Sequence, residues 1–190
     1  MGSGPSGLSA AAHAAELGIS YALLEAEPHL SNTIFRYQKG KHVMAEPAVL
    51  PLRSPLQFQA GKREQILGSW AHGAAQLKLK ARMSSPVTGI KGKKGDFALT
   101  LGDKSTLRAE HVVLAIGLQG NIRKLGVPGE DAPFVQYTLD DPDEYQDEAI
   151  VIVGAGDAGI ENALALLQVR RINHARGPLL EQRGHEELIV

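Results

Sequence analysis

Apolar residues recur at helical spacing in two stretches of the chain. Residues 9–17 (SAAAHAAEL) combine high helix propensity with a glycine directly after them, the residue most often found just beyond a helix end. Residues 62–77 place five apolar side chains on one helical face despite two internal glycines: Ile66, Leu67, Trp70, Ala74 and Leu77. Both stretches are therefore predicted to form helices.

Short apolar runs of strand length occupy much of the remaining sequence. Residues 111–116 and 149–153 are almost continuously apolar and predict strands buried on both faces, as in a parallel sheet. Shorter segments separated by glycine-containing turns predict further strands at 20–24, 78–83, 87–90, 97–101 and 105–108. Residues 27–60 contain four prolines and little periodicity, so we expect irregular structure there.

Two glycine motifs of the same outline, G-x-G-x-x-G, each lead into a helical stretch rich in alanine and leucine. They occupy residues 2–7 and 154–159. In this pattern the first glycine permits a tight turn, the second lets the backbone approach a pyrophosphate, and the third lets a helix pack closely on a strand. The phosphate lies at the helix N-terminus, where free N–H groups favour an anion.

The two motifs differ in their sequence context. The second directly follows the strand predicted at 149–153, which favours nucleotide binding over the alternative of a glycine-rich turn without a ligand. The first has only Met1 in front of it, so the strand that should precede it is missing from this sequence. However, Glu25 follows Gly7 by 18 residues, close to the ~20 residues that separate a dinucleotide loop from its ribose-binding acid.

The composition excludes several classes of function. Of the 190 residues, 43% are hydrophobic and 22% are charged, which is typical of a globular protein with its own core. A net charge of −1 provides no basic field for nucleic acid, and no apolar run approaches the ~20 residues that cross a bilayer. Without a secretory signal, the expected location is cytoplasmic. With no cysteine and seven scattered histidines, neither thiol chemistry nor a metal site is predicted.

The ordered set of motifs resembles a known family. The set comprises the glycine loop at 2–7, Glu25, the VLAIG segment at 113–117 and the RKLGVPGE segment at 123–130. It resembles the flavoproteins with two dinucleotide-binding domains, most nearly the thioredoxin-reductase-like, FAD-dependent pyridine nucleotide oxidoreductases. The resemblance implies an α/β fold: an incomplete, Rossmann-like doubly wound FAD-binding domain with small antiparallel strands over residues 1–118. The start of a second, NAD(P)-binding Rossmann domain would follow over residues 119–190.

The resemblance also assigns cofactor-binding residues, each by its place in a motif. The FAD pyrophosphate would be cradled by Gly2, Ser3, Gly4, Pro5, Ser6 and Gly7. The ribose of FAD would bind Glu25, its adenine would lie by the backbone of Val87, and the chain would pass the cofactor at Ala115 and Gly117. The pyrophosphate of NADPH or NADH would be held by Gly154, Gly156, Asp157, Ala158 and Gly159. A preference for NADPH is indicated by Arg170, Arg171 and Arg176.

Three departures from the family pattern affect the predicted function. The CxxC of thioredoxin reductases is absent, since its place is taken by Tyr137-Thr-Leu-Asp140. The strand before the first glycine motif is missing. After about residue 168 the sequence matches neither the next strand of an NAD(P)-binding domain nor the closing FAD segment. We therefore expect a product that is truncated at both ends, or a shifted reading frame near the C-terminus.

The sequence predicts an FAD-dependent oxidoreductase that transfers a hydride from NAD(P)H to flavin and on to a small-molecule or protein electron acceptor. A ferredoxin-type reductase is the better analogue than a disulfide reductase, and the longer parent is expected to allow a homodimer. Hydride transfer requires no side-chain acid or base, so no catalytic residue is assigned. The alternative is a non-catalytic nucleotide-binding module or an inactive remnant. Two interpretations also stay open for Arg36, Lys39 and Lys41, as neighbours of the flavin ring or as solvated loop charges.

Overall fold

The computed structural model describes residues 1–45, 53–118, 122–146, 148–174 and 186–189. The helices are α1 (Pro5–Glu16), α2 (Asn32–Phe35), α3 (Arg63–Gln76) and α4 (Asp157–His174), with a 3-10 helix, η1, at Pro142–Glu144. The strands are β1 (Leu23–Leu24), β2 (His42–Val43), β3 (Gly61–Lys62), β4 (Ala81–Arg82), β5 (Val87–Lys93), β6 (Asp96–Leu101), β7 (Thr106–Ala109), β8 (Val135–Gln136), β9 (Ala149–Ile152) and β10 (Glu186–Ile189). The chain forms two compact units, the first comprising Met1–Phe35 and Gly40–Gly120, the second Arg36–Lys39 and Asn121–Val190.

The sheets of the first unit combine one parallel pair with two antiparallel sets. Strands β1 and β4 pair in parallel, with Leu23 opposite Ala81. Strands β5, β6 and β7 form an antiparallel meander, and β2 pairs with β3. The meander strands confirm the sequence prediction, whereas the strands predicted at 20–24 and 78–83 are reduced to the two residues each of β1 and β4. Apart from α2 and β2, the described part of residues 27–60 is irregular, as predicted.

Helices α1 and α3 confirm both helix predictions. Helix α1 begins four residues earlier than predicted because Pro5 takes its first position, where a missing N–H is tolerated. It buries the face formed by Gly7, Leu8, Ala11 and Ala12. Helix α3 buries Ile66, Trp70 and Ala74, the apolar spacing seen in the sequence. Apolar spacing was therefore sufficient to locate both helices.

The core next to the first glycine loop joins β1 to the meander. Leu24, Leu99 and Leu101 form a buried cluster. Partly buried apolar side chains pack around it: Met1, Val87, Phe97, Leu107, Ala109 and Val112. This packing fixes the end of β1, so the position of Glu25, the next residue, is set by the core.

The prediction of a strand at residues 111–116 is wrong. Residues 111–116 form no regular strand, and Val113 and Leu114 are 60% and 61% exposed. Two hydrogen bonds connect the segment to Met1, from Met1 N to Val113 O and from Ala115 N to Met1 O, both 2.8 Å. A parallel strand is buried only where neighbours run alongside it, and among the described residues Met1 alone hydrogen-bonds to this segment.

A cavity of about 900 Å³ lies in the first unit beside residues 111–113. Its walls come from α1 through Ala10 and Ala14, from the residues leading into β1, and from the meander through Leu99 and Leu107. Val112, Val113 and Met1 also line it. Residues of β1 and of the 111–113 segment therefore line the same cavity.

The second unit contains a parallel sheet in the order β8-β10-β9. Strand β9 confirms the prediction at 149–153, but not its burial, since Val151 is exposed. The chain then turns into α4, where Ile160, Leu164 and Leu167 are exposed. Strand β10 falls in the tail where the sequence predicted no match, and residues 175–185 and 190 are outside the described residues.

Candidate functional site

The first glycine loop has two crowded glycines and one open one. Gly2 has φ +87°, and a Cβ on it would lie 2.3 Å from the carbonyl oxygen of Ala115. A Cβ on Gly7 would lie only 1.8 Å from the carbonyl oxygen of Gly2. A Cβ on Gly4 would meet no atom within 4 Å. The first and third glycines are therefore required by the fold, and the middle one borders space open to a ligand.

The second glycine loop repeats this arrangement except at its first glycine, where a Cβ would meet no atom within 4 Å. Gly154 has φ +115°, and a Cβ on Gly159 would lie 2.4 Å from the carbonyl oxygen of Gly154. A Cβ on Gly156 would again meet no atom within 4 Å. Two loops 152 residues apart in sequence thus share their conformation, as their common pattern predicted.

Each loop ends at the N-terminus of a helix. The first helical hydrogen bond after the middle glycine runs from Leu8 N to Gly4 O (2.9 Å) in one loop and from Ile160 N to Gly156 O (3.1 Å) in the other. N–H groups of the first helical turn have no partner within a helix, so they are available to an anion. In the first loop Ser6 is exposed at this turn and Pro5 has no N–H; in the second, Asp157 and Ala158 are exposed.

Glu25, the predicted ribose acid, lies against the first loop. Glu25 is buried, with 8% of its surface exposed. One carboxylate oxygen accepts hydrogen bonds from Ser3 N at 2.6 Å and from Ser3 Oγ at 2.5 Å. The other oxygen accepts one from Glu27 N at 3.1 Å. The structure therefore brings together the acid and the glycine loop that the sequence connected only by spacing.

Ser31 was missed by the sequence reasoning. It is 1% exposed, has φ +56°, and donates hydrogen bonds to Ser3 from both its backbone N–H and its hydroxyl. Serine is common in loops, and Ser31 belongs to no glycine motif, so no sequence signal distinguished it.

Glu130 was missed as a separate residue, although it lies in a segment that the sequence singled out. This buried carboxylate accepts hydrogen bonds from Leu125 N (2.5 Å), from Gly126 N (2.6 Å) and from the hydroxyl of Tyr137. It closes the loop within residues 123–130, which explains the acid at the end of that segment. Its role is to hold this part of the second unit together.

The remaining predicted residues of the first unit have different surroundings. Val87 packs its side chain against the buried leucine cluster, so only its backbone is left for a ligand. Ala115 supplies the backbone against which Gly2 is packed. Gly117 has φ +63° and open space around its Cβ position. Ala115 is thus in direct contact with the first loop, whereas no contact between Gly117 and that loop is recorded among the described residues.

Lys39 lies in an ion pair with Asp141 in the second unit. The hydrogen bond between the two side chains raises the pKa of Lys39 and lowers the pKa of Asp141. This pairing favours the interpretation of Lys39 as a solvated loop charge. Arg176 lies outside the described residues, and Arg170 and Arg171 fall in the last turns of α4.

Two further kinds of feature are absent from the described ranges. No group of three His, Asp or Glu side chains there could hold a metal ion. None of the helices in those ranges has the length and apolar character of a membrane span.

A family model for the pyridine nucleotide-disulphide oxidoreductases matches residues 1–173. The chain is similar to a ferredoxin–NADP reductase from Ignicoccus hospitalis, at 29% identity over 94% of this chain and 57% of the relative. It is also similar to the bacilliredoxin reductase Bdr from Bacillus subtilis, at 23% identity over 88% of this chain and 52% of the relative. The chain thus spans little more than half the length of these relatives.

Solved structures share the fold of this chain. The bacillithiol disulfide reductase Bdr from Staphylococcus aureus superimposes with a TM-score of 0.75 at 24% identity, over 89% of this chain and 53% of that one. The thioredoxin reductase from T. acidophilum gives a TM-score of 0.65 at 22% identity, over 90% of this chain and 52% of that one. These likenesses confirm the predicted α/β fold.

Proposed function

Since the chain belongs to the pyridine nucleotide-disulphide oxidoreductase family, as its resemblance implied, we propose that it acts as an FAD-dependent oxidoreductase. It would transfer a hydride from NAD(P)H to flavin and pass the electrons to a small-molecule or protein acceptor. The observation that carries this proposal is the shared geometry of the two glycine loops, together with the buried acid beside the first.

The first loop fits the pyrophosphate and ribose of FAD. Gly4 borders open space that could hold a diphosphate. A side chain at position 4 would occupy this space. Glu25 uses three of the roughly four acceptor positions of a carboxylate, which leaves capacity for a ribose hydroxyl. In the proposed site the loop 2–7 binds the diphosphate, Glu25 binds the ribose, and the backbones of Val87, Ala115 and Gly117 border the cofactor.

The second loop fits the pyrophosphate of NAD(P)H. Gly156 borders open space in the same way as Gly4, while Gly154 and Gly159 form the turn. Asp157 and Ala158 would face the nucleotide at the start of α4. The carboxylate of Asp157 interacts favourably with the helix dipole there, but it repels a phosphate. We propose NADPH as the preferred nucleotide, in keeping with the names of the ferredoxin–NADP reductases among the relatives.

The chemistry of the reaction would come from the cofactors. When bound, the flavin accepts a hydride from the nicotinamide and releases electrons to the acceptor. The contribution of the chain is to bind and orient both nucleotides, and this requires neither a catalytic acid nor a base. For that reason the proposal assigns no catalytic residue.

The acceptor is proposed to take its electrons directly from the flavin. The relatives include reductases of ferredoxin, of bacilliredoxin and of thioredoxin, so their names do not select one acceptor. The 190 residues contain no cysteine, and a route through a thiol pair of this chain is therefore not available to them. A ferredoxin-type protein or a small acceptor fits this composition better than a disulfide.

The location and assembly of the protein are also proposals. We propose a cytoplasmic location and a homodimer for a longer parent, to be tested by cell fractionation and by light scattering. The near-neutral net charge gives no reason to expect a nucleic-acid partner.

The test is anaerobic reduction of the purified protein, followed by its flavin absorbance. Bound FAD that bleaches with NADPH supports the proposal, and the same titration with NADH compares the two nucleotides. In the variant Gly156→Val, bleaching by NADPH should be lost because the side chain fills the space beside the loop, while dithionite still reduces the flavin. If the variant lost FAD as well, the assignment of two separate sites would be wrong.

A non-catalytic nucleotide-binding module is the second candidate. It is favoured by the exposure of the second glycine loop, which the described residues leave largely uncovered. A colourless protein that binds ADP but not FAD would support this candidate and overturn the proposed oxidoreductase.

A further inference from the structure

We propose that Ser31 is a positioning residue that aims the backbone amide of Gly4 at the pyrophosphate of FAD. This inference rests on the proposed FAD site and adds to it a residue outside both glycine motifs. Ser31 directly precedes α2, six positions after Glu25 in the sequence, and is almost completely buried.

Ser31 is bound to one residue of the glycine loop through three hydrogen bonds. Its backbone N–H lies 3.1 Å from both the carbonyl oxygen and the hydroxyl oxygen of Ser3. Its own hydroxyl donates to the same carbonyl oxygen at 3.2 Å. Ser3 is fully buried, and its hydroxyl donates in turn to Glu25. The carbonyl of Ser3 is therefore held by two donors of Ser31.

Holding this carbonyl also sets the direction of the next amide. In a planar trans peptide, the C=O of one residue and the N–H of the following residue point in opposite directions. With the Ser3 carbonyl turned toward Ser31, the N–H of Gly4 points away from Ser31. The described residues provide no acceptor for this N–H, and the space beside Gly4 is open. The amide is therefore oriented for an anion that enters the loop.

The backbone of Ser31 adopts a conformation that serine normally avoids. Its φ of +56° lies in the left-handed region, where residues persist only when the surrounding interactions hold them. The turn into α2 is closed by a backbone bond from Phe35 N to Ser31 O at 2.9 Å, which does not involve the hydroxyl. A glycine at position 31 should therefore keep this turn and lose only the hydroxyl contact with Ser3.

The test compares Ser31→Ala and Ser31→Gly with the unaltered chain and with Ser54→Ala. Ser54 is a matched control, because it is also buried in the first unit and its hydroxyl accepts one backbone bond, from Leu56 N at 3.1 Å. Affinity for FAD is measured by flavin fluorescence, and ADP and adenosine are measured as competitors. Thermal melting of each protein without nucleotide reports stability.

We expect both Ser31 variants to bind FAD and ADP about three- to tenfold more weakly, the loss typical of one hydrogen bond. Adenosine, which has no phosphate, should bind as before, and Ser54→Ala should leave all three affinities unchanged. Ser31→Gly should melt no lower than Ser31→Ala, since glycine relieves the positive φ.

The outcomes separate this inference from the proposed site. If Ser31→Gly bound FAD and ADP as tightly as the unaltered chain does, the positioning role would be overturned and the proposed FAD site would stand. An equal loss for ADP and adenosine would also overturn it, because the residue would then act on the whole pocket. If the unaltered chain bound neither FAD nor ADP, the proposed function would fail and the inference with it.

Discussion

The two glycine loops have the same backbone shape but are held in different ways. In the first loop, Ser3 and Gly7 are buried, and hydrogen bonds from Ser3 to Glu25 and from Ser31 to Ser3 fix the turn. In the second loop, Gly154 and Gly156 are exposed, and among the described residues no side chain forms a recorded hydrogen bond to residues 154–159. Within the described residues, the interactions recorded for the second loop are therefore those of its backbone.

This difference separates the shape of a dinucleotide loop from its preorganisation. The glycine pattern is sufficient for the turn, since both loops place the third glycine against the carbonyl of the first. The buried acid and the two serines add interactions that keep the first loop in place before any ligand arrives. We therefore expect the first loop to tolerate less change than the second.

The largest effect is expected from Gly7→Ala. The new Cβ would lie 1.8 Å from a backbone oxygen in a loop whose neighbours are buried, so the loop has to open. We expect FAD affinity to fall by about a hundredfold or more, which corresponds to ~2.7 kcal/mol, with a clear loss of Tm. The measurements are flavin fluorescence titration and thermal melting.

Gly159→Ala is the matched change in the second loop. Its Cβ would lie 2.4 Å from the corresponding oxygen, and the exposed loop has room to shift. We expect a smaller loss of Tm than for Gly7→Ala and a weaker effect on NADPH than Gly7→Ala has on FAD. Equal losses in the two loops would contradict the comparison.

A second prediction concerns the segment in front of each loop. Strand β9 leads into the second loop, whereas in front of the first loop Met1, β1 and the 111–113 segment line the cavity of the first unit. Gly2 N donates to Leu24 O at 2.8 Å and Met1 N donates to Val113 O at 2.8 Å, so an extended peptide joined to Met1 would continue into the cavity between them.

We therefore expect a stabilised protein when the sequence of β9, Ala-Ile-Val-Ile, is added in front of Met1. Each large apolar side chain that becomes buried contributes ~1.5–3 kcal/mol, and Tm should rise on the order of 10 °C. An extension of four alternating serines and glycines is the control and should have little effect. A Tm equal to that of the control would show that the cavity does not accept a strand.

Glu25→Gln tests the side chain that distinguishes the first loop. An amide nitrogen cannot accept a hydrogen bond, so either Ser3 or Glu27 N loses its partner, and the charge that favours ribose hydroxyls is removed. Hydrogen bonds to charged acceptors contribute ~1.5–3 kcal/mol, so FAD retention should fall roughly ten- to a hundredfold. Glu27→Gln is the control, because that side chain is exposed and only its backbone forms recorded hydrogen bonds.

The smallest effect is expected from the ion pair of Lys39 and Asp141 in the second unit, in which the Lys39 side chain is exposed. The hydrogen bond from Lys39 lowers the pKa of Asp141 below its unfolded value of about 3.8, so the pair stabilises the folded state above that pH. This contribution is lost as pH falls through the lowered pKa. Asp141→Asn should therefore melt slightly lower at pH 7 and show a weaker decrease on acidification; identical pH profiles would remove the pair as a cause.

The sequence predicted the elements whose cause is local. Helices α1 and α3 follow from apolar spacing, and the meander β5–β7 follows from glycine turns between short apolar runs. The 111–116 segment has the composition of a buried strand, but composition cannot show whether neighbours run beside it. For the same reason β9 was located correctly while the exposure of Val151 was not.

By itself, the sequence determined the positions and shape of the two glycine loops and the acid that belongs with the first. Glycine spacing determines the loop shape through backbone sterics, which are local. Glu25 could be found because it follows Gly7 by 18 residues, close to the spacing of the dinucleotide pattern. Only the tertiary structure decided that Ser31 binds Ser3 and that Glu130 closes its own loop. No local sequence pattern distinguishes these two residues from the other serines and glutamates of the chain. A polar side chain takes on such a structural role only if the folded chain brings a buried hydrogen-bond donor or acceptor within about 3 Å of it.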